Sequence, residues 1–170
     1  MISKDTKDRE SGQSLIEVLV ALVVAALVIT ALIITILTGL KNSQFAQKQS
    51  QATKYAQEAI DKIRGIRDRD VAVTANFGST SVAKFSDLWS VQISASTDSS
   101  YFTLGVGSLS LSQVPVASSD VDLGDGLSRQ IMFWDDATSF ALQKQVTVKV
   151  KWTDSSGSHE SNLQTIITPR

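Results

Sequence analysis

The stretch from Gly12 to Leu37 reads GQSLIEVLVALVVAALVITALIITIL, and it determines what kind of chain this is. From Val18 to Leu37 it contains nothing more polar than Thr30 and Thr35. A helix rises about 1.5 Å per residue, so these residues would cover about 30 Å, the hydrocarbon thickness of a bilayer. The sequence therefore predicts a membrane-spanning helix near the N-terminus.

One carboxylate, that of Glu17, stands at the start of this apolar stretch. Moving an ionised group into hydrocarbon costs on the order of 2.5–3.5 kcal/mol or more. A membrane anchor gains nothing from that cost. The sequence therefore predicts that Glu17 has a partner.

The order G-Q-S-L-I-E-V-L, which starts at Gly12, resembles the class III leader and N-terminal segment of prepilins in the type IV pilin family. In that family a membrane-embedded peptidase cuts after the glycine and methylates the new first residue. The resemblance implies cleavage after Gly12 and a methylated N-terminus at Gln13, where many members have Phe. It also implies that Glu17, the fifth mature residue, lies near the α-amine of a neighbouring subunit in the filament.

Two other interpretations of the N-terminus were considered. An uncleaved signal anchor would make the Gly12–Gln13 motif a coincidence, whereas a secretory signal peptide would have a shorter apolar region with its cleavage site after it. Lys4, Lys7 and Arg9 precede the apolar run and only Lys41 and Lys48 follow it closely. Because cytoplasmic flanks carry the excess of Lys and Arg, we expect the N-terminus inside and the body outside.

Composition excludes several classes of function. The net charge is −1, with no concentrated basic surface, so we expect no nucleic-acid binding by this subunit alone. There is no cysteine, and the one histidine, His159, lies in a polar stretch that predicts a solvated loop. No nucleophile–base pair, phosphate loop or dinucleotide motif is present, so we expect no catalytic residue and no cofactor. The chain is expected to be the substrate of an enzyme and not an enzyme.

Helical periodicity continues past the apolar run, and no proline occurs before Pro115. We predict one helix from about Ser14 to Arg67, with an amphipathic second half. Its apolar stripe consists of Phe45, Ala52, Ala56, Ala59, Ile63 and Ile66. A solvated helix end is predicted for Arg64, Arg67, Asp68, Arg69 and Asp70.

Beyond Asp70 the pattern changes to strands and turns. The alternation of apolar and polar residues predicts strands that are separated by Ser-, Asp- and Gly-rich loops, notably Ser112 to Gly126. The last two strands should form an antiparallel hairpin. Trp89, Trp134 and Trp152 are expected in the core or on a sheet face. The predicted strands are Trp89–Ile93, Tyr101–Leu104, Ser128–Trp134, Gln143–Trp152 and Asn162–Thr168.

Two acidic groups were weighed as sites. Asp120, Asp122 and Asp125 lie in a Gly-bearing loop that offers oxygen ligands of the kind calcium takes, but their spacing departs from D-x-D-x-D-G. A solvated acidic turn is favoured, and no metal is expected. Asp135 and Asp136 are adjacent, so their side chains would point to opposite faces of a strand, and a turn is the better interpretation than an acid–base pair.

The sequence as a whole predicts an α+β subunit whose long N-terminal helix packs on an antiparallel β-sheet body. Its segments are a leader (1–12), a transmembrane and filament-core helix (13–40), an amphipathic helix half (41–70) and the body (71–170).

The resemblance implies a pilin-like subunit that polymerises into a surface or envelope filament. Processing would involve Gly12 and Gln13, and assembly would involve Glu17. Its expected partners are other pilin subunits, a prepilin peptidase and methyltransferase, the assembly machinery, and membrane lipid before assembly. It would sit in the cytoplasmic membrane and then in an extracellular or periplasmic filament. The alternatives are a type II secretion pseudopilin, a minor or tip subunit, and an uncleaved, membrane-anchored binding protein.

Overall fold

A computed structural model describes residues 5–95, 97–105 and 109–170, with side chains from Leu15 onward in the first helix. One long helix, α1 (Asp5–Asp68), is followed by eight strands. Short 3₁₀ turns lie at Phe85–Ser90, Asp98–Ser100 and Val116–Ser118. The strands are β1 (Ala72–Phe77), β2 (Thr80–Lys84), β3 (Tyr101–Leu104), β4 (Leu111–Gln113), β5 (Val121–Gly124), β6 (Leu127–Trp134), β7 (Lys144–Asp154) and β8 (Gly157–Ile167).

The helix α1 starts earlier than predicted and ends where expected. Its backbone is helical from Asp5, whereas the sequence predicted a start near Ser14. At the other end Asp70 has a positive φ of 48°, its N–H donates to Arg67 O, and Val71 N–H donates to Ile66 O at 3.0 Å. These bonds form a Schellman cap, which satisfies carbonyls that a helix end leaves open.

The chain forms two compact units, Met1–Ala46 and Gln47–Arg170. The first unit contains the apolar half of α1. The second unit contains the rest of α1 and all the strands, so the amphipathic half of the helix belongs to the body.

The strands form one sheet in the order β2-β1-β4-β3-β6-β7-β8, and β5 also pairs with β6. All described pairs are antiparallel except β1 with β4, which run parallel. The predicted antiparallel body is thus mostly correct. The predicted C-terminal hairpin is confirmed, with β7 and β8 paired from Lys144–Ile167 to Asp154–Gly157 without a bulge.

The core of the second unit lies between the amphipathic half of α1 and one face of the sheet. The predicted helix stripe is confirmed from Ala52 to Ile66, although Phe45 lies outside this unit and is 37% exposed. Alternate residues of β7 are buried, as its pattern predicted. Trp152 is buried, and Trp89 packs against the core. Trp134 is half-buried on the other face of the sheet.

The predicted strand Trp89–Ile93 is wrong. Phe85–Ser90 forms a 3₁₀ turn, and the following residues pair with no strand among those the structure describes. Val91 and Ile93 are nevertheless buried. Ile93 O accepts the Asp135 N–H at 3.0 Å, and the Asp135 carboxylate accepts the Ile93 N–H at 3.2 Å. The residues do alternate between exposed and buried positions, but the Asp135 side chain, and not a neighbouring strand, accepts the Ile93 N–H.

Two loop predictions also need correction. The stretch Ser112 to Gly126 holds the end of β4, a 3₁₀ turn and β5, which forms a hairpin with β6. His159 is not in a solvated loop, because β8 begins at Gly157 and pairs His159 with Trp152. The two rings stack with centroids 5.5 Å apart, and His159 Nε2 lies 3.0 Å from Asp154 Oδ1.

Candidate functional site

The candidate site is the N-terminal part of α1, which carries the predicted cleavage position and Glu17. The backbone of Gly12 and Gln13 is helical, and their side chains lie outside the described part of the chain. Glu17 follows Gln13 by four residues, so the two positions share one face of the helix, about 6 Å apart along its axis. The side chain of Glu17 is exposed and has no ion-pair or hydrogen-bond partner among the side chains that the structure describes.

The segment after Glu17 is apolar on every side. Its large side chains from Val18 to Leu40 are 48–67% exposed. Contiguous apolar surface of this extent marks a protein or membrane contact in a folded protein. Among the described residues this is the one helix long and apolar enough to cross a membrane, with a mean hydropathy of 3.1 over its most apolar stretch.

The hydroxyls in this apolar segment are satisfied within the helix. Thr30, Thr35 and Thr38 each donate to the carbonyl four residues earlier, at 2.8–2.9 Å. A hydroxyl bonded in this way needs no water. Glu17 is therefore the polar side chain of the segment, from Leu15 onward, that still requires a partner.

The three candidate calcium ligands do not converge. Asp120 bonds Lys151 Nζ at 3.1 Å, and Asp122 Oδ1 accepts the Gly124 N–H at 2.9 Å. Asp125 lies in the β5–β6 turn with φ 54°. In the described ranges no three His, Asp or Glu side chains are grouped as metal ligands.

The predicted turn at Asp135 and Asp136 conceals a buried ion pair. Asp135 and Lys144 are both fully buried, with Lys144 Nζ 2.5 Å from Asp135 Oδ2 and 2.6 Å from Val91 O. Burial lowers the pKa of Lys144, and the bond to Asp135 opposes that shift. Asp136 is exposed, so the two carboxylates do point apart. This arrangement joins the strand-like segment at Val91 to the sheet, and it is structural.

Sequence reasoning missed both buried cations. Lys144 lies on the same inward face of β7 as Val146, Val148 and Val150, because even spacings separate them. This spacing was the sequence signal for its burial. Arg129 on β6 likewise lies on the same face as the buried Leu127 and Ile131, and it is 7% exposed. Burial lowers the pKa of Arg129, and the charge of Glu58 on α1 raises it. Arg129 therefore lies near Glu58 of α1, whereas Lys144 contacts Val91 O and Asp135.

At the predicted solvated helix end, the acidic side chains have partners. Arg67 pairs with Asp68 at 2.8 Å, and Arg170 donates to Asp68 O at 3.1 Å. Asp70 accepts the Ser86 N–H at 2.8 Å, and this bond lowers the pKa of Asp70. The end is exposed, as predicted, but it is also tied to the 3₁₀ turn and to the C-terminus.

Comparison with known proteins addresses the N-terminal segment. Residues 7–38 match the family model described as the prokaryotic N-terminal methylation motif. No curated protein and no solved structure matches the chain.

The matched range includes the predicted leader end, Gln13, Glu17 and most of the apolar helix. The motif implies processing by a prepilin peptidase and assembly with other pilin-type subunits, and its family is structural, not enzymatic. The apolar helix is consistent with membrane anchoring. Residues 7–38 thus place the methylation motif at the start of a long helix that packs on a mostly antiparallel sheet, and this motif supports a type IV pilin-like prepilin.

Proposed function

We propose that the chain is a structural subunit of a surface or envelope filament, cleaved after Gly12 and polymerised through its apolar helix. The observation that carries this proposal is the methylation motif on a helix whose apolar side chains are exposed while the body has its own core. Before assembly, the lipid of the membrane covers those side chains. In a filament the helices of other copies cover them.

Glu17 acts in assembly. The cleaved Gln13 carries a free amine, and its positive charge pairs with the Glu17 carboxylate of the next subunit inside the helical bundle. At low dielectric a lone carboxylate is costly, and an oppositely charged partner offsets part of that penalty and fixes the register. Apolar packing attracts neighbouring helices without fixing their relative position along the axis, and the charge pair fixes the axial offset between subunits.

Processing is tested by intact-mass analysis of the protein from its host. The mature chain should lack residues 1–12, with or without one added methyl group. Gly12→Val should block cleavage, because a branched side chain crowds a site that fits glycine. Residues 1–12 still attached to the assembled form would overturn the proposal.

Assembly is tested by Glu17→Ala, with Thr30→Ala as a matched control in the same apolar segment. Glu17→Ala should stay in the membrane at least as well as the unaltered chain, because it removes a group that is costly in hydrocarbon. It should be largely lost from the sheared filament fraction, whereas Thr30→Ala remains there. Recovery of Glu17→Ala in filaments at normal yield would contradict the role of Glu17.

Immunogold labelling of whole cells and of isolated envelopes separates a surface pilus from a secretion pseudopilus.

A further inference from the structure

The turn between β5 and β6 presents an exposed pair of carboxylates. We call Asp122 to Gly126 the acidic turn. Gly124, Asp125 and Gly126 all have positive φ, so the backbone reverses sharply and leaves both Asp122 and Asp125 exposed. Asp120 nearby is paired with Lys151, but among the described residues neither the Asp122 carboxylate nor the Asp125 carboxylate forms an ion pair, and the Lys48 ammonium bonds the backbone carbonyl of Asp125.

A groove with the opposite character runs along the exposed side of α1 in the same unit. This basic groove has a volume of about 520 Å³ and is lined by Lys54, Glu58, Asp61, Lys62, Arg69 and Leu109, among others. Its two carboxylates are already engaged, Glu58 with Lys62 at 2.5 Å and Asp61 with Arg64 at 3.6 Å. Lys54 and Arg69 are exposed and have no carboxylate within 4.0 Å in the described part of the chain. Arg69 is therefore left without an ion-pair partner in the described part of the chain, whereas the charge of Lys54 acts on Glu58.

The acidic turn of one copy cannot reach Arg69 at the far end of the basic groove of the same copy. Lys48 donates to Asp125 O, so the acidic turn lies beside α1 at the level of Lys48. Arg69 follows Lys48 by 21 residues, which is about 30 Å along the helix axis. The carboxylate of Asp125 cannot reach Arg69 of the same chain, and a contact between them requires a second copy.

We propose that the acidic turn of one subunit docks in the basic groove of a neighbouring subunit in the filament. This inference rests on the proposed function and names a second interface for it. The two surfaces are opposite in charge, because the turn exposes the carboxylates of Asp122 and Asp125 and the groove exposes the guanidinium of Arg69. They are different patches of one molecule, so the contact is heterologous. A heterologous contact that does not close into a ring generates an open helical assembly, as a filament requires.

The first test is disulfide cross-linking, for which the natural chain offers a clean background because it has no cysteine. Filaments are assembled from the full chain that carries Asp125→Cys and Arg69→Cys, oxidised, and separated without reductant. Docking predicts a ladder of covalent dimers and higher multimers that collapses on reduction. Each single-cysteine variant and the pair Asp125→Cys with Ser155→Cys, whose second position is equally exposed, serve as controls.

The outcomes distinguish this inference from the proposed function. Filaments at normal yield with no more cross-linking than in the controls would overturn the docking contact and leave the filament role intact. If the unaltered chain forms no filament at all, both proposals fail.

Charge reversal gives an independent test. Arg69→Glu alone, and Asp122→Lys with Asp125→Lys, should each lower filament yield several-fold and make the yield less sensitive to salt. All three changes together should restore most of the yield, because attraction is re-established with its sign exchanged. Far-ultraviolet circular dichroism checks that each variant is folded. A triple variant that assembles worse than either parent would overturn the contact.

Discussion

At the scale of single residues, the body buries three charged side chains, those of Arg129, Asp135 and Lys144, among the residues that the structure describes. Lys144 opens β7 at an inward position and is fully buried with Asp135. Its ammonium also donates to Val91 O, and the Asp135 carboxylate accepts the Ile93 N–H. The sequence spacing placed Lys144 on the inward face of β7 but did not show its partner. Asp135 belongs to a turn, and no local sequence pattern determines the path of that turn.

Removing one member of this pair should destabilise the body strongly. Lys144→Ala leaves the Asp135 carboxylate buried without its cation, and we expect a loss of about 3–5 kcal/mol in the free energy of unfolding. Lys144→Met combined with Asp135→Asn should cost less than Lys144→Ala, because no charge remains buried and Asn still offers an acceptor to Ile93. Urea unfolding followed by tryptophan fluorescence measures both. A Lys144→Ala body as stable as the original would show that the ion pair contributes nothing.

Asp70 should give the body part of its sensitivity to acid. The Ser86 N–H bond lowers the folded-state pKa of Asp70 below its ordinary value of 3.8. The folded state therefore binds this proton more weakly than the unfolded state does. The stabilisation is present above pH 3.8 and is lost as pH falls through the lowered pKa.

The matched variant is Asp70→Asn, which keeps a hydrogen-bond acceptor and tolerates positive φ. It should be less stable than the unaltered body near neutral pH, and the difference should shrink as the pH falls below 4. Thermal unfolding at a series of pH values measures this convergence. A difference that is constant with pH would mean that the Asp70 carboxyl titrates alike in the folded and unfolded states.

At the scale of elements, the sequence predicted well wherever a pattern repeats over many residues. The end of α1, the buried stripe on its second half, and the β7–β8 hairpin all follow from periodicity. Short strands were missed because they hold too few residues to show an alternation, whether the partner is next in the chain, as β6 is for β5, or remote. β4, for instance, has three residues and pairs with both β1 and β3.

Histidine 159 illustrates the same limit at a strand end. Its neighbours are polar, so the sequence resembled a turn, and pairing with β7 placed it in a strand. In the N-terminal segment, the order G-Q-S-L-I-E-V-L predicted a resemblance that the match at residues 7–38 supports. No sequence pattern could show which groups outside it remain unpaired on the surface of the body.

Small residues set the distance between α1 and the sheet. Ala52, Ala56 and Ala59 are completely buried on the helix stripe. Ala56→Leu adds volume where none is free and should destabilise the body by about 1–3 kcal/mol. Gln57→Leu, one position further on at an exposed site, is the matched control and should change stability by less than about 0.5 kcal/mol. Equal urea midpoints for the two variants would mean that the interface is loosely packed at Ala56.

At the scale of the whole molecule, the chain combines two units with different requirements. The unit Met1–Ala46 exposes apolar side chains, and the unit Gln47–Arg170 buries its own. The proposed filament would need both, because the first unit would supply the apolar contact between copies and the second would supply surfaces that distinguish one neighbour from another. The body also has to hold together without a disulfide, since the chain contains no cysteine.

This division predicts that the body folds without the apolar half of α1. A fragment from Gln47 to Arg170 should be soluble without detergent and monomeric, because the hydrophobic core lies entirely within it. Its circular dichroism should show mixed helix and strand, and its unfolding midpoint should not respond to reductant. The matched comparison is a fragment that begins at Val18, which should require detergent because it retains the exposed apolar side chains. A Gln47 fragment that is unfolded, or that aggregates as the longer one does, would mean that the N-terminal half of the helix contributes to the folding of the body as well as to its assembly.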